Sequence, residues 1–214
     1  RDWSSDVCSS DLLQQRSPVR HVAVTLRSGF IPTTGEDEAV PRLGPSGDFG
    51  GISHVIDAAL WLMGGGPVRV HAMFSGRPAH SVALQVELST KGVLNISHLA
   101  VPEPGLWGCW TLVGERWEAS FAGGYRPERR GWCVGPARLF EQGRWEEVAP
   151  EVSPQTGLPE PWAAAHVATA QALLQTLAGT ARGDLATFTA GAWVQRVLGA
   201  ALQSEQERRC VTVD

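Results

Sequence analysis

The sequence predicts an α+β fold in which helices cover one face of a mostly antiparallel β-sheet. Apolar residues recur at three- and four-residue steps near residues 52–64, 160–181 and 187–203, which is the helical period. Between the first two of these helices, apolar and polar residues alternate in short segments, as expected of half-buried strands. Gly, Pro and charged residues separate these segments, which favours an antiparallel sheet with one packed face and one more polar face.

The alternating segments place the strands along the chain. Val22, Val24 and Leu26 share one face of the first strand, and Thr90-Lys91-Gly92 predicts a hairpin turn. Residues 28–47 form a long excursion that is either a functional loop or a solvated connector. Strands are expected at residues 19–27, 67–75, 80–89, 92–99, 106–113, 116–121, 131–134, 137–141 and 144–148.

Each helix has a start or stop signal. Gly64 and the two glycines that follow it end the first helix, and prolines at 159 and 161 open the second. Thr187 is the expected N-terminal cap of the third helix. The inner face of the second helix is predicted to carry Trp162, His166, Thr169, Leu173 and Leu177, and the packing residues of the third to include Phe188, Trp193, Val197 and Leu198.

The first helix carries the main candidate for chemistry. His54 and Asp57 are three residues apart and project from one helix face, close to a glycine-rich entry. Backbone N–H groups and the helix dipole favour negative charge at such an N-terminus. A histidine and a carboxylate placed there form a plausible acid–base pair. The alternative interpretation is a core helix whose histidine is hydrogen-bonded and inert.

Composition excludes several classes of function. The formal net charge is −4, with no basic patch for nucleic acid or anionic membranes. No apolar run approaches the roughly 18 residues of a membrane helix. The cysteines have no metal-binding or CxxC spacing, and the histidines have no HExxH-like spacing, so no metal is expected. Reduced thiols favour a cytoplasmic location.

The segment from Gly47 to Gly64 resembles the C-terminal domain of the glucose–fructose oxidoreductase / inositol dehydrogenase (Gfo/Idh/MocA) family. In that family a glycine-rich turn leads into Asp-x-x-x-His-x-x-Asp and an aliphatic helix that ends in glycine. The likeness continues through the strand at 67–72, the hairpin at 82–94, the strand and glycine at 110–114, two terminal helices and a last short strand. It covers roughly residues 18–214.

The resemblance implies the substrate-binding half of an NAD- or NADP-dependent oxidoreductase that acts on a sugar, polyol or related hydroxy compound. His54 and Asp48 are the implied catalytic residues, and Asp57 and Ser53 the implied substrate contacts. Gly50 stands where the family has its first Asp, and Asp48 lies two residues earlier. This departure leaves open a non-catalytic homologue that binds a ligand and assembles through its sheet.

The domain organisation expected from the sequence has two parts. Residues 1–12 resemble a translated sequencing-library adapter and are set aside as disordered. Residues 13–214 are assigned to one substrate-binding and oligomerisation domain. In the family, the dinucleotide and an active-site lysine belong to a preceding nucleotide-binding domain, so this chain is expected to hold no cofactor and to be inactive alone. A homo-oligomer is expected to form through the polar sheet face, which includes Ala83, Trp107 and Cys109.

Overall fold

The computed structural model describes residues 17–29, 49–75, 81–101, 105–126, 131–135, 137–148, 161–179 and 187–213. The adapter-like segment 1–12 and most of the excursion at 28–47 lie outside these ranges. Across the ranges given, no helix has both the length and the apolar character needed to cross a membrane.

The predicted α+β class is confirmed: the described residues form one mixed sheet of ten strands and three helices. In chain order the elements are β1 His21–Gly29, α1 Phe49–Met63, β2 Pro67–Ser75, β3 Ser81–Leu88, β4 Val93–Ala100, β5 Gly105–Val113, β6 Trp117–Arg126, β7 Gly131–Val134, β8 Ala137–Glu141, β9 Arg144–Val148, α2 Pro161–Leu177, α3 Phe188–Glu207 and β10 Val211–Thr212. The strand order is β10-β2-β3-β4-β1-β5-β6-β8-β9, and β7 pairs with β6. Only β1 and β4 pair in parallel within the described sheet.

The core forms between one face of the sheet and the helices α1 and α3. Alternate residues of β1, β3 and β4 point to this face because side chains alternate along a strand. Helical spacing brings one side of α1 and one side of α3 onto the same layer. The buried cluster includes Val22, Val24, Leu26, Val82, Leu84, Val86, Leu94 and Ile96 from the strands, Ile52, Val55, Ile56 and Ala59 from α1, and Val194, Val197 and Leu198 from α3.

Helix α1 runs antiparallel to β1. At its start, a Cβ on Gly51 would lie 3.5 Å from Leu26 near the end of β1. At its other end, Met63 lies over Gly92, where any Cβ would come within 2.6 Å of the methionine methyl group. The N-terminus of α1 therefore lies above the end of the sheet where β1 and β4 both finish.

The edge of β2 is closed by side chains where β10 ends. Val211 pairs with Val70, and beyond that pair side chains of α3 accept the hydrogen bonds of the β2 backbone. The Ala72 backbone N–H donates to Ser204 Oγ at 2.9 Å, and the Phe74 N–H donates to a carboxylate oxygen of Glu205 at 2.9 Å. A two-residue strand thus suffices at this edge, because side chains satisfy the remaining donors.

The predicted turn signals are confirmed. Lys91 adopts a left-handed conformation (φ 64°) in the β3–β4 hairpin. Gly64 (φ 65°) follows the last residue of α1, and its N–H donates to Leu60 O at 2.9 Å. The Thr187 hydroxyl accepts from the Ala190 N–H at 3.1 Å, which is the expected cap of α3.

Strand β6 is longer than predicted because Gly123 and Gly124 do not end it. Gly124 has φ 156°, and a Cβ there would lie 1.8 Å from the Leu106 carbonyl oxygen. The glycine is needed for close backbone approach between β5 and β6, so it continues the strand rather than breaking it.

The packing predicted for two helices was partly wrong. Leu173 and Leu177 are 48% and 75% exposed, and Phe188 is 101% exposed rather than packed. The main contact of α2 with the sheet in the described ranges is at β7, and no described element buries Leu173 and Leu177. The side chains of Trp162 and His166 lie outside the described set.

Candidate functional site

Helix α1 places the predicted histidine on its outer side. Ile52, Val55 and Ile56 are buried against the sheet, so the helical period turns His54 toward solvent. The imidazole of His54 is exposed, whereas the Asp57 carboxylate is half-buried one turn further on. An exposed histidine on a helix anchored by its opposite face is accessible to a ligand.

The structure brings the predicted residues together only in part. Ser53, His54 and Asp57 all lie on α1. Among the described residues, no hydrogen bond joins the side chains of His54 and Asp57, so the two groups of the expected acid–base pair do not contact each other in this structure. Asp48 lies outside the described residues, and its predicted role stays a prediction.

The glycines that precede His54 lie inside α1 rather than in a loop before it. The helix begins at Phe49, so Gly50 and Gly51 form its first turn. A Cβ on Gly51 would make ordinary contacts with Leu26 at 3.5 Å and Leu106 at 3.8 Å. Packing therefore does not require glycine at this position, and the first turn rests directly on the end of the sheet.

Beside that first turn lies a polar pair that the sequence analysis did not identify. His98 on β4 is 1% exposed, and its Nε2 lies 2.6 Å from Ser28 Oγ at the end of β1. His98 Nδ1 is buried, and no residue in the described part of the chain forms a hydrogen bond with it. Burial lowers the pKa of His98 to about 4 from its usual 6.5, because a charged imidazole would lose its hydration. The ring is therefore neutral at physiological pH.

A sequence signal for His98 was present. Leu94, Ile96 and His98 alternate along β4, so the strand period places the histidine on the same buried face as the two aliphatic residues. A search for metal-binding spacing among the histidines, by contrast, does not identify a single buried imidazole such as that of His98. Among the described residues, no three His, Cys, Asp or Glu side chains come together as a metal site requires.

Chemically, this end of the sheet combines two kinds of group. His54 carries an imidazole that is open to solvent and whose ring nitrogens can donate and accept hydrogen bonds. The Ser28–His98 pair supplies a hydroxyl held by a neutral imidazole. Such groups suit an uncharged ligand that carries hydroxyl or carbonyl oxygens.

Comparison with known proteins gives a fold but no close relative. No family model matches the sequence, and no match is found among curated proteins. Solved structures do match. UDP-N-acetylglucosamine 3-dehydrogenase from Acidithiobacillus ferrooxidans is 20% identical, with a TM-score of 0.59 over 90% of this chain and 55% of that one. Levoglucosan dehydrogenase in complex with NADH and levoglucosan is 15% identical, with a TM-score of 0.70 over 96% and 62%.

The fold is one that dehydrogenases use. An oxidoreductase domain protein from Kribbella flavida matches in the same way, at 15% identity and a TM-score of 0.69 over 96% of this chain and 62% of that one. At these identities the likeness concerns the fold. The chain spans 55% to 62% of the length of the three matched chains.

Proposed function

We propose that this chain is the substrate-binding part of an NAD- or NADP-dependent oxidoreductase that acts on a sugar, polyol or related hydroxy compound. The observation that carries the proposal is the exposed His54 on a helix of a fold shared with dehydrogenases. The resemblance of the His54 segment to the Gfo/Idh/MocA family points the same way. One matched dehydrogenase is a complex with NADH and levoglucosan, which supports this class of substrate.

In this proposal His54 transfers the hydroxyl proton. Oxidation of an alcohol to a ketone removes a hydride from carbon and a proton from oxygen, and the nicotinamide supplies the hydride acceptor. His54 takes the proton in oxidation and returns it in reduction, which suits an imidazole because its ring nitrogen can act both as general base and as general acid. Asp57 and Ser53 contact the substrate from the same helix, and Asp48 is a second candidate for proton transfer.

The described residues do not fit a dinucleotide. A pyrophosphate-binding turn joins a strand to a helix that crosses to a neighbouring parallel strand. Here α1 connects β1 to β2, and these strands do not pair: β1 lies between β4 and β5, and β2 lies between β10 and β3. We therefore assign the cofactor to a preceding nucleotide-binding domain of a longer protein, with residues 13–214 as one domain and residues 1–12 as an adapter-like artefact.

The proposal is tested by assaying the longer protein, recovered from its gene, with NAD and NADP against a panel of sugars and polyols. We expect substrate-dependent formation of reduced nicotinamide with at least one member of the panel. The 214-residue chain, assayed in parallel, is expected to show none. Ligand binding without turnover by the longer protein would instead support a non-catalytic homologue.

The sheet face opposite the helices supports the proposed homo-oligomer. Two neighbouring rows of side chains run across six strands of this face. Apart from a histidine at one end, none of these side chains carries a formal charge. The first row is Met73, Ala83, Ser97, Thr25, Cys109 and Ala122, and the second is His71, Gln85, Asn95, Ala23, Thr111 and Ser120. At about 4.8 Å between strands, this uncharged band is about 25 Å wide, which suits an interface depleted of charge.

A charge placed in the middle of the uncharged band is expected to break the oligomer. Thr25 is exposed and lies between Ser97 and Cys109, so Thr25→Lys should spare the monomer fold but place an unpaired ammonium in the interface. The molar mass measured by light scattering at micromolar concentration should be that of an oligomer for the wild type and that of a monomer for Thr25→Lys. Thr90→Lys, in the exposed β3–β4 turn, is the control and should stay oligomeric. A monomeric wild type would contradict the proposal.

A cytoplasmic location completes the proposal. Cys109 and Cys210 are both exposed and free. Exposed, unpaired thiols are more common in reducing compartments than in oxidising ones.

A further inference from the structure

The Ser28–His98 pair is not used by the proton transfer proposed for His54, yet it has the features of a ligand-binding group. His98 is 1% exposed and its Nδ1 has no partner among the described residues, and such buried unpaired atoms are rare enough to need an explanation. Ser28 is only half-buried and contacts the buried His98 ring, so a ligand at the end of the sheet can reach the Ser28 hydroxyl.

The pair lies at the N-terminal end of α1. Ser28 pairs with Leu106 across β1 and β5, and paired residues of antiparallel strands point to the same face. Gly51, in the first turn of α1, lies over Leu26 and that same Leu106. The Ser28 hydroxyl is therefore beside the helix turn that leads to His54.

The tautomer of His98 follows from the orphaned nitrogen. The ring is neutral, so one nitrogen carries a proton and the other a lone pair. A proton on Nδ1 would leave an unpaired N–H donor in the core, which is rarer than an unpaired acceptor. The tautomer protonated at Nε2, in which His98 donates to Ser28 Oγ, is therefore the favoured one.

This tautomer determines whether the Ser28 hydroxyl can act as a hydrogen-bond donor to a ligand. Its oxygen already accepts from His98, so its own O–H points elsewhere. Within the described part of the chain, no acceptor takes that proton. The hydroxyl is left as a donor at the edge of the site.

We propose that the Ser28 hydroxyl donates a hydrogen bond to an oxygen of the bound hydroxy compound, and that His98 is the positioning residue that orients it. This inference rests on the proposed function for the class of ligand. It adds a specificity contact on β1 to the residues of α1, and it favours ligands that carry an acceptor oxygen in addition to the reacting hydroxyl.

The test has two measurements on the 214-residue chain, neither of which needs turnover. Imidazole ¹⁵N–¹H correlation spectra near neutral pH should show the His98 proton on Nε2. Titration with myo-inositol and levoglucosan should shift the Ser28 amide resonance. Cyclohexanol has a single hydroxyl and lacks the others, so it should bind at least tenfold more weakly, since loss of one neutral hydrogen bond alone corresponds to about that factor.

Variants separate positioning from simple packing. Ser28→Ala should weaken polyol binding about tenfold, and His98→Leu should weaken it equally. The double variant should be no weaker than either one, since both remove the same contact. His98→Gln keeps an N–H donor and should retain binding within about threefold of the wild type.

Three results would overturn the proposal: a His98 proton on Nδ1, unchanged polyol affinity in Ser28→Ala, or no binding of either polyol to the wild type. Dehydrogenase activity is measured separately on the longer protein. Polyol binding that depends on Ser28, without turnover, would therefore refute the proposed function and support the Ser28 contact. Turnover that Ser28→Ala leaves unchanged would support the proposed function and refute the contact.

Discussion

Replacing His54 with glutamine or alanine in the longer protein is expected to lower kcat by a factor of about 10² to 10⁴, the usual contribution of a general acid–base group. Neither replacement can exchange a proton near neutral pH. KM should change much less, because the proton moves only in the transition state. Steady-state kinetics with the best substrate of the panel measures both constants.

Folding should be unaffected by these changes, since the His54 side chain is exposed and the opposite face of α1 holds the helix to the sheet. His71→Gln is the matched control: it removes a half-buried histidine from β2, on the sheet face opposite α1, and should leave kcat unchanged. His71 lies at the end of the uncharged band, and glutamine keeps that position uncharged. If His54→Gln and His54→Ala fold normally and keep kcat within a few-fold of the wild type, His54 has no catalytic role.

Acid should destabilise the protein through His98. The folded pKa is about 4, against 6.5 for the free imidazole. Above pH 6.5 the ring is neutral in both states, and its contribution to stability is complete. As the pH falls from 6.5 toward 4, the imidazole binds a proton in the unfolded chain but stays neutral in the folded chain. The free energy of unfolding therefore falls. At about 1.36 kcal/mol per pKa unit, the full loss is about 3 kcal/mol, of which about 2 kcal/mol falls between about pH 7 and pH 5.

Urea unfolding at a series of pH values measures this loss. Carboxylates contribute as well, so the prediction concerns the difference between the wild type and His98→Gln, which cannot titrate at this position. The variant should lose about 2 kcal/mol less between about pH 7 and pH 5. Ser28→Ala is the control: it removes the hydrogen bond but leaves the imidazole buried, so it should keep the wild-type pH dependence. Equal slopes for wild type and His98→Gln would show that the ring is hydrated in the folded state.

The sequence determined most of the secondary structure of the described residues, because local periods and turn residues carry that information. The alternation of Val82, Leu84 and Val86 predicted both β3 and its buried face. Gly64 and Thr187 marked helix ends through backbone geometry and a hydroxyl acceptor, both of which act over a few residues. The helical period also turned His54 away from the core.

Only the tertiary structure decided which strands are neighbours and which side chains meet. The parallel pairing of β1 with β4 brings Ser28 and His98 together across 70 residues, and no local pattern encodes that contact. Leu173, Leu177 and Phe188 have helical spacing, yet they are exposed, because burial requires a partner surface and not a period alone. Gly124 shows the same limit: its role depends on a backbone oxygen of the neighbouring strand, which approaches only when the sheet is formed.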